Sequence, residues 1–589
     1  MVDTLASGAS GGNPVEVQVL SWAPFFSPLL FSPLLRRTPA NHIRRLRALG
    51  TPSYHLVLHS TTVKQYDMLT DTSKTLKETD LLMEKLNLCA AFSLLTTIAL
   101  SGCASLTSQP ITSNVAKNAL LARQASCEQF YQTHDNAATQ EKITDIQTTQ
   151  INAYPFLSVN RFLVSFKNEL ANNERRNFWL AEAAKLNRQK RNVEWLNMSV
   201  ESKTLIQKKH LRSLTFKQRL TSCSEEFLAR LKDDDKPSII KQAKVKKNYS
   251  TGLRSLGLYP VTSIFVQKQI AKNQRATRDV FNKKLNQLYV SGELQRYIPE
   301  INQTKFTSVI DDLDSDIVNK ENPLSIPFIS STALNTLFNR YAPTLEIDES
   351  GDYDKTGEVK LDKKNIPYVD TTSPVMYTKP SYTRFAGKIR LQLNYVFWFP
   401  ERPSQSGFDI YAGKLDGIIW RVTLDENFTP LLFDSIHNCG CYHKFYASKA
   451  VKFNMDAAAQ EKEPPFLAQV NLETDKDIPW VLRISSKKHY IERVYQKKRF
   501  DKNAKTYLFE SYHQLRHLAA GNQNKSLFSN DGLVENSKRI ERFALWPMGI
   551  KSAGAMRQWG HHATVFVGKR YFDEAYLFDK FFTLAAAKN

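Results

Sequence analysis

The run His437-Asn-Cys-Gly-Cys-Tyr-His443 places two imidazoles and two thiols within one short stretch. Those side chains can ligate a metal, exchange electrons as a dithiol, or pair a nucleophile with a base. His437, Cys439, Cys441 and His443 alternate, so a strand would put all four on one face. A fully extended strand would also hold the outer two about 20 Å apart, too far for one metal. Gly440 can take a positive φ and fold the run into a turn that gathers two or three of them. Four readings stay open. Zinc or copper could be held by histidine and thiolate ligands, drawn from His437 and His443 and completed by His561 and His562 behind Gly560. A vicinal Cys439–Cys441 disulfide could act as a redox switch. Cys439 or Cys441 could be a nucleophile with a nearby histidine as base. Or a Cys-x-Cys disulfide simply locks a loop. The spacing matches no standard zinc finger.

Other polar residues crowd the same half. Asp434, three residues before His437, is placed to orient it. Glu401 and Arg402 sit between prolines in Trp398-Phe-Pro-Glu-Arg-Pro403, where a strand-end loop delivers a carboxylate to a site or holds a Glu–Arg ion pair. Arg557 lies in Gly554-Ala-Met-Arg-Gln-Trp-Gly560, where a substrate anion or a structural role would use it. Asp352-Tyr-Asp-Lys-Thr-Gly357 resembles half of a calcium loop, but Lys363 stands at its twelfth position, so a β-turn is expected. The chain carries no dinucleotide-binding glycine fingerprint, no phosphate-cradling Gly-Lys-Ser/Thr loop and no Gly-x-Ser-x-Gly elbow.

The elements that must position these groups are of two kinds. From 115 to 340, apolar residues recur at three- and four-residue intervals among Lys, Arg, Glu and Gln, which predicts a basic helical domain. From 341 to 589 the pattern alternates or runs apolar, as in Ile389-Arg-Leu-Gln-Leu-Asn-Tyr-Val, and predicts a β-rich domain with the His/Cys cluster. Asp573–Ala587 reads as a closing amphipathic helix. The expected class is α+β, a helical N-terminal domain followed by a mostly antiparallel β-sheet domain with a C-terminal helix.

The segment Met83 to Cys103 has Lys85, an uncharged apolar run Leu86–Leu100, and then Ser101-Gly102-Cys103. That is the layout of a secretory signal peptide. Its end, Leu100-Ser-Gly-Cys103, resembles the lipobox of bacterial lipoproteins. The resemblance implies cleavage before Cys103, acylation of that cysteine (palmitate included), and, with Ala104 in place of Asp, transfer to the outer membrane. On this reading 83–102 is the signal peptide and 103–114 the lipidated tether. Residues 1–82 are then a mis-assigned leader, with translation starting at Met83. Of six cysteines, Cys89 leaves with the signal peptide and Cys103 takes the lipid. An even set of four remains, suited to an oxidising compartment. Cys127 and Cys223, both in helical sequence, are expected to bridge.

At 42% hydrophobic and 11% aromatic the chain is neither disordered nor collagen-like. The net charge is +22, most of it in the helical region. In the periplasm such charge meets lipid headgroups or acidic envelope polymers; nucleic acid is not an expected partner.

The half from 341 to 589 also resembles an uncharacterised family of proteobacterial lipoproteins. The likeness rests on Leu393-Asn-Tyr-Val-Phe-Trp-Phe-Pro-Glu-Arg-Pro403, on Leu415-Asp-Gly-Ile-Ile-Trp-Arg-Val-Thr423, on His437–His443, and on Trp546-Pro-Met-Gly549 with Met556-Arg-Gln-Trp-Gly560. It implies an envelope location and no particular activity. The expectation is thus an outer-membrane-anchored periplasmic lipoprotein, either a metal-dependent or thiol-based enzyme or a non-catalytic envelope-binding or assembly protein using a basic helical face.

Overall fold

In the computed structural model, residues 125–300, 322–475, 478–498 and 503–586 are described. The leader, the signal-peptide segment, Cys103 and the tether lie outside them. The longer helices are α1 (Ala125–Gln140), α2 (Asn173–Asn197), α3 (Phe216–Ala229), α4 (Tyr259–Asn282) and α5 (Ser331–Arg340). A small hairpin pairs β1 (Thr149–Ile151) with β2 (Tyr154–Val159). The main sheet uses β3 (Glu293–Pro299), β4 (Thr344–Glu349), β5 (Val375–Phe385), β6 (Lys388–Arg402), β7 (Gly413–Leu424) and β8 (Pro430–His437). It also uses β9 (Lys444–Ser448), β10 (Phe466–Leu472), β11 (Trp480–Ile484), β12 (Ile491–Gln496) and β13 (Lys505–Ser511).

The helices begin where the sequence supplies caps. Asn172 accepts a hydrogen bond from Arg175 N at the start of α2, and Thr215 with Gln218 forms a reciprocal capping box on α3. Their apolar faces meet around Phe130, Tyr131, Phe156, Trp179 and Phe227. Within that core a Cys127–Cys223 disulfide joins α1 to α3.

The sheet order is β10-β9-β8-β7-β6-β5-β13-β3-β4-β11-β12, mostly antiparallel and nearly closed. Side chains bridge the remaining seam. Gln469 of β10 donates to Val494 O (2.9 Å) and accepts from Val494 N (2.7 Å), so its amide replaces a ladder pair between the edge strands β10 and β12. The end of α4 lies across the same seam, with Phe281 against Tyr446 and Phe466. Inside, Leu391, Leu393, Tyr395, Phe397 and Phe399 of β6 meet Trp420 of β7, Phe433 of β8 and Trp480 of β11. The other face of β6 is also covered: Val396 and Trp398 pack with Met556 and Trp559. Burial on both faces explains why the sequence shifts from alternating to continuously apolar there. Polar residues within the strands find local partners, as where Gln392 donates to Thr423 of β7.

The α+β class stands, with two departures from the expected layout. The segment expected to be helical supplies the β1–β2 hairpin and β3. Tyr297 of β3 is buried inside the sheet, and β3 pairs with both β4 and β13. The expected closing helix is a single turn, Leu577–Phe581. Residues Phe582–Leu584 instead pair with Val451–Phe453, because Phe582 packs on Phe445 and Phe453 and a strand satisfies the backbone there. Helical and sheet-rich segments are pinned together by ion pairs, one buried and one half-buried. Arg516 donates to both oxygens of Asp145 (3.0 and 2.7 Å), and Arg161 meets Asp573 at 2.9 Å.

Candidate functional site

Strand β8 ends at His437 and the chain reverses at once. Gly440 N donates to His437 O (2.7 Å) and His437 N donates to Cys441 O (3.0 Å). Gly440 sits at φ +92°, and a Cβ there would fall 2.6 Å from Ala563 O, so only glycine fits under the C-terminal segment. The turn leaves Cys439 buried and Cys441 half-buried, both as free thiols. Burial raises the Cys439 thiol, but its hydrogen bond with Cys441 and the Arg539 guanidinium outweigh that and hold it below an ordinary thiol. The same bond, then burial, pushes Cys441 well up. One sulfur is thus biased toward thiolate and its neighbour toward thiol.

Behind the turn, Arg557 donates from its backbone N to Asn438 O (2.9 Å) and from Nε to Cys439 O (3.1 Å). Its Nη2 is held by Lys551 O and Ser552 O. Arg557 therefore shapes the dithiol loop. Glu401 points outward, 30% exposed, and pairs with Lys414. Its neighbour Arg402 turns inward instead of pairing with it.

The strand parity explains which partner each histidine takes. Asp434 and His437 are three apart on β8 and so face opposite sides of the sheet. Asp434 does not orient His437. It binds Arg421 through both oxygens and lies 2.8 Å from His443 Nε2. His437 lies toward Asp416 of β7, with Nδ1 3.4 Å from Oδ1. His561 Nε2 is 2.7 Å from Ile146 O, and its Nδ1 is 3.2 Å from Asn248 Oδ1. His562 is buried, pulled down to about 3 by burial and Arg557. The structure does not bring His437, His443, His561 and His562 together as a ligand set. Among the described residues no group of three or more His, Cys, Asp or Glu side chains is arranged to hold a metal ion.

A charge network around Asp416 was not visible in the sequence. Asp416, 0% exposed, lies 2.9 Å from His489 Nδ1 and 3.3 Å from Arg539 Nη2 besides its contact with His437. His489 Nε2 is 3.3 Å from Asp354, and its ring stacks on Phe399 at 3.9 Å. Asp354 in turn accepts from Ser350 N, Ser486 Oγ and Lys487 N, so the supposed calcium-loop carboxylate is fully engaged. Burial opposes ionisation of Asp416, but Arg539 and His437 overcome it and keep the carboxyl well below its ordinary range. Burial lowers His489, yet Asp354 and Asp416 raise it overall. No local motif marks these residues, because Asp416 and His489 are 73 positions apart.

His437 is different. Burial outweighs Asp416 and takes it from 6.5 down to about 4, so it is neutral near pH 7. Between those values the unfolded chain takes up a proton that the native chain refuses. Acidification through that window therefore removes about 1.4 kcal/mol of stability per pH unit for this residue. His489 acts oppositely: its pairing is fully present below 6.5 and is lost as pH rises through its raised value. In His437→Asn the acid limb of the urea midpoint against pH should be shallower by about one proton's worth. Equal slopes in variant and wild type would show that His437 is not buried neutral.

No protein-family model, no curated protein and no solved structure matches the chain.

Proposed function

We propose that this is a lipid-anchored protein of the bacterial envelope whose Cys439–Cys441 pair exchanges electrons with thiols or disulfides. The observation that carries the redox reading is the turn itself: two free thiols one glycine apart, one half-buried, one held below an ordinary thiol by its hydrogen bond with the other and by Arg539. The anchor is supported by Leu100–Cys103 in the sequence. Palmitate labelling, present in the wild type and absent in Cys103→Ala, checks it.

In the proposed step the Cys439 thiolate attacks one sulfur of a substrate disulfide. That S–S bond breaks and a mixed disulfide forms as the first substrate thiolate leaves. Cys441 gives up its proton to a leaving thiolate and attacks the Cys439 sulfur, closing Cys439–Cys441 and releasing the second thiolate. Two electrons pass from the dithiol to the substrate, and the reverse direction oxidises a substrate dithiol. Reduced protein should cleave a small peptide disulfide, and Cys439→Ser should fall to the uncatalysed rate. Cys441→Ser should stop at a mixed disulfide visible in the intact mass. Equal rates for wild type and Cys439→Ser would overturn the proposal.

A further inference from the structure

Beside the dithiol loop the protein buries more guanidinium than it pairs. Arg402, at the end of β6, is 4% exposed; its side chain interacts with the Tyr490 hydroxyl, while its Nε and Nη1 have no hydrogen-bond partner. Arg539 is 2% exposed; its Nη2 serves Leu415 O at 3.2 Å and Asp416, while its Nε is unpartnered. The two are neighbours by construction. Arg402 is the register partner of Gly413 on β7, and a Cβ on Gly413 would lie 3.1 Å from Arg539 Cγ. Glycine at 413 thus leaves the room in which the Arg539 stem lies beside Arg402.

Desolvated donors on a cation are costly unless an acceptor meets them. Asp416 is already shared among Arg539, His489 and His437. Glu541 is buried nearby and feels the charges of Arg539, Arg402 and Arg557, but it forms no ion pair within 4.0 Å among the described residues, and burial keeps its carboxyl above its ordinary value. Tyr411 and Tyr490 lie 5.3 and 5.7 Å from the Arg402 guanidinium, Tyr442 packs on Tyr490 at 4.6 Å, and all three rings are half-buried. Cys441 is half-buried on the same turn as Tyr442.

We infer that Arg402 and Arg539 form a receptor for one oxyanion, a carboxylate or a phosphate, entering between Tyr411, Tyr442 and Tyr490. Guanidinium donors match such groups, and aromatic walls exclude water around the pair. This deepens the redox reading by naming the class of molecule that reaches the thiols, and rests on that reading only in calling the bound molecule a substrate.

The test needs no thiol chemistry. Calorimetric titration of the full chain carrying Cys439→Ser with S-methylglutathione probes a carboxylate, and with glycerol phosphate a phosphate ester. The inference expects saturable binding of one molecule per chain for at least one of them, and the ligand that binds identifies the group. Arg402→Gln should weaken that binding about tenfold or more, since a hydrogen bond to a charged group is lost. Arg402→Lys, which keeps the charge and loses the fork, should weaken it as well, and it serves if the Gln variant does not fold. No saturable binding of either ligand, or full affinity in a folded Arg402 variant, overturns the inference. Absence of disulfide cleavage by the reduced wild-type protein, with anion binding retained, would remove the redox reading and leave the receptor standing.

Discussion

Asp416→Asn should lose on the order of 3–5 kcal/mol of stability, the range for removing one partner of a buried charge group. The side chain is fully enclosed and is the shared acceptor for Arg539 and His489, with His437 at its edge. Asparagine keeps the shape and removes the charge. Arg539 would then sit buried beside a neutral amide, and His489 would keep only Asp354. Whole domains are stable by about 5–15 kcal/mol, so the loss should show as a large fall in the urea midpoint. A loss under about 1 kcal/mol would mean that the network is hydrated and not the desolvated cluster described.

The second large effect concerns the Cys127–Cys223 disulfide, whose ends are 96 residues apart. Closing so long a loop limits the unfolded chain, and the entropy argument assigns it about 4.7 kcal/mol. Both sulfurs lie in the helical core, so the double variant Cys127→Ala/Cys223→Ala also loses packing. Its thermal midpoint should fall well below the wild type. An unchanged midpoint would show that the helices hold without the link.

How much was legible in advance follows from the range of the signals. The covered strands could be read because β6 and β7 are buried on both faces, and that requirement is written locally as apolar runs, five residues at Tyr395–Phe399 and three at Ile418–Trp420. The dithiol turn was visible for the same reason: Cys439, Gly440 and Cys441 are contiguous, and a glycine between them permits the left-handed step. The charge network was not visible. Asp416, His489, Arg539 and Asp354 come from four separate segments, and only the near-closed sheet brings them to one rim. The flanking prolines predict a strand-end loop at Glu401 and Arg402, serving a site or an ion pair; the strand instead runs through both, so they point to opposite faces. The strand β3 was hidden because it is short and follows a long helical stretch. The closing helix failed because Phe581 and Phe582 are both buried, which a helix with one apolar face cannot arrange as well as a strand end can.

The most direct measurement is to equilibrate the reduced protein in thiol–disulfide buffers, alkylate it, and read the intact mass. The account predicts that Cys439 and Cys441 lose alkylation together, in a single two-electron transition in which a tenfold change in the ratio of oxidised to reduced protein corresponds to about 30 mV. Cys127 and Cys223 should stay unlabelled throughout. If Cys439 and Cys441 remain alkylated at every buffer ratio, or are capped one at a time without forming a bond to each other, the redox function is wrong.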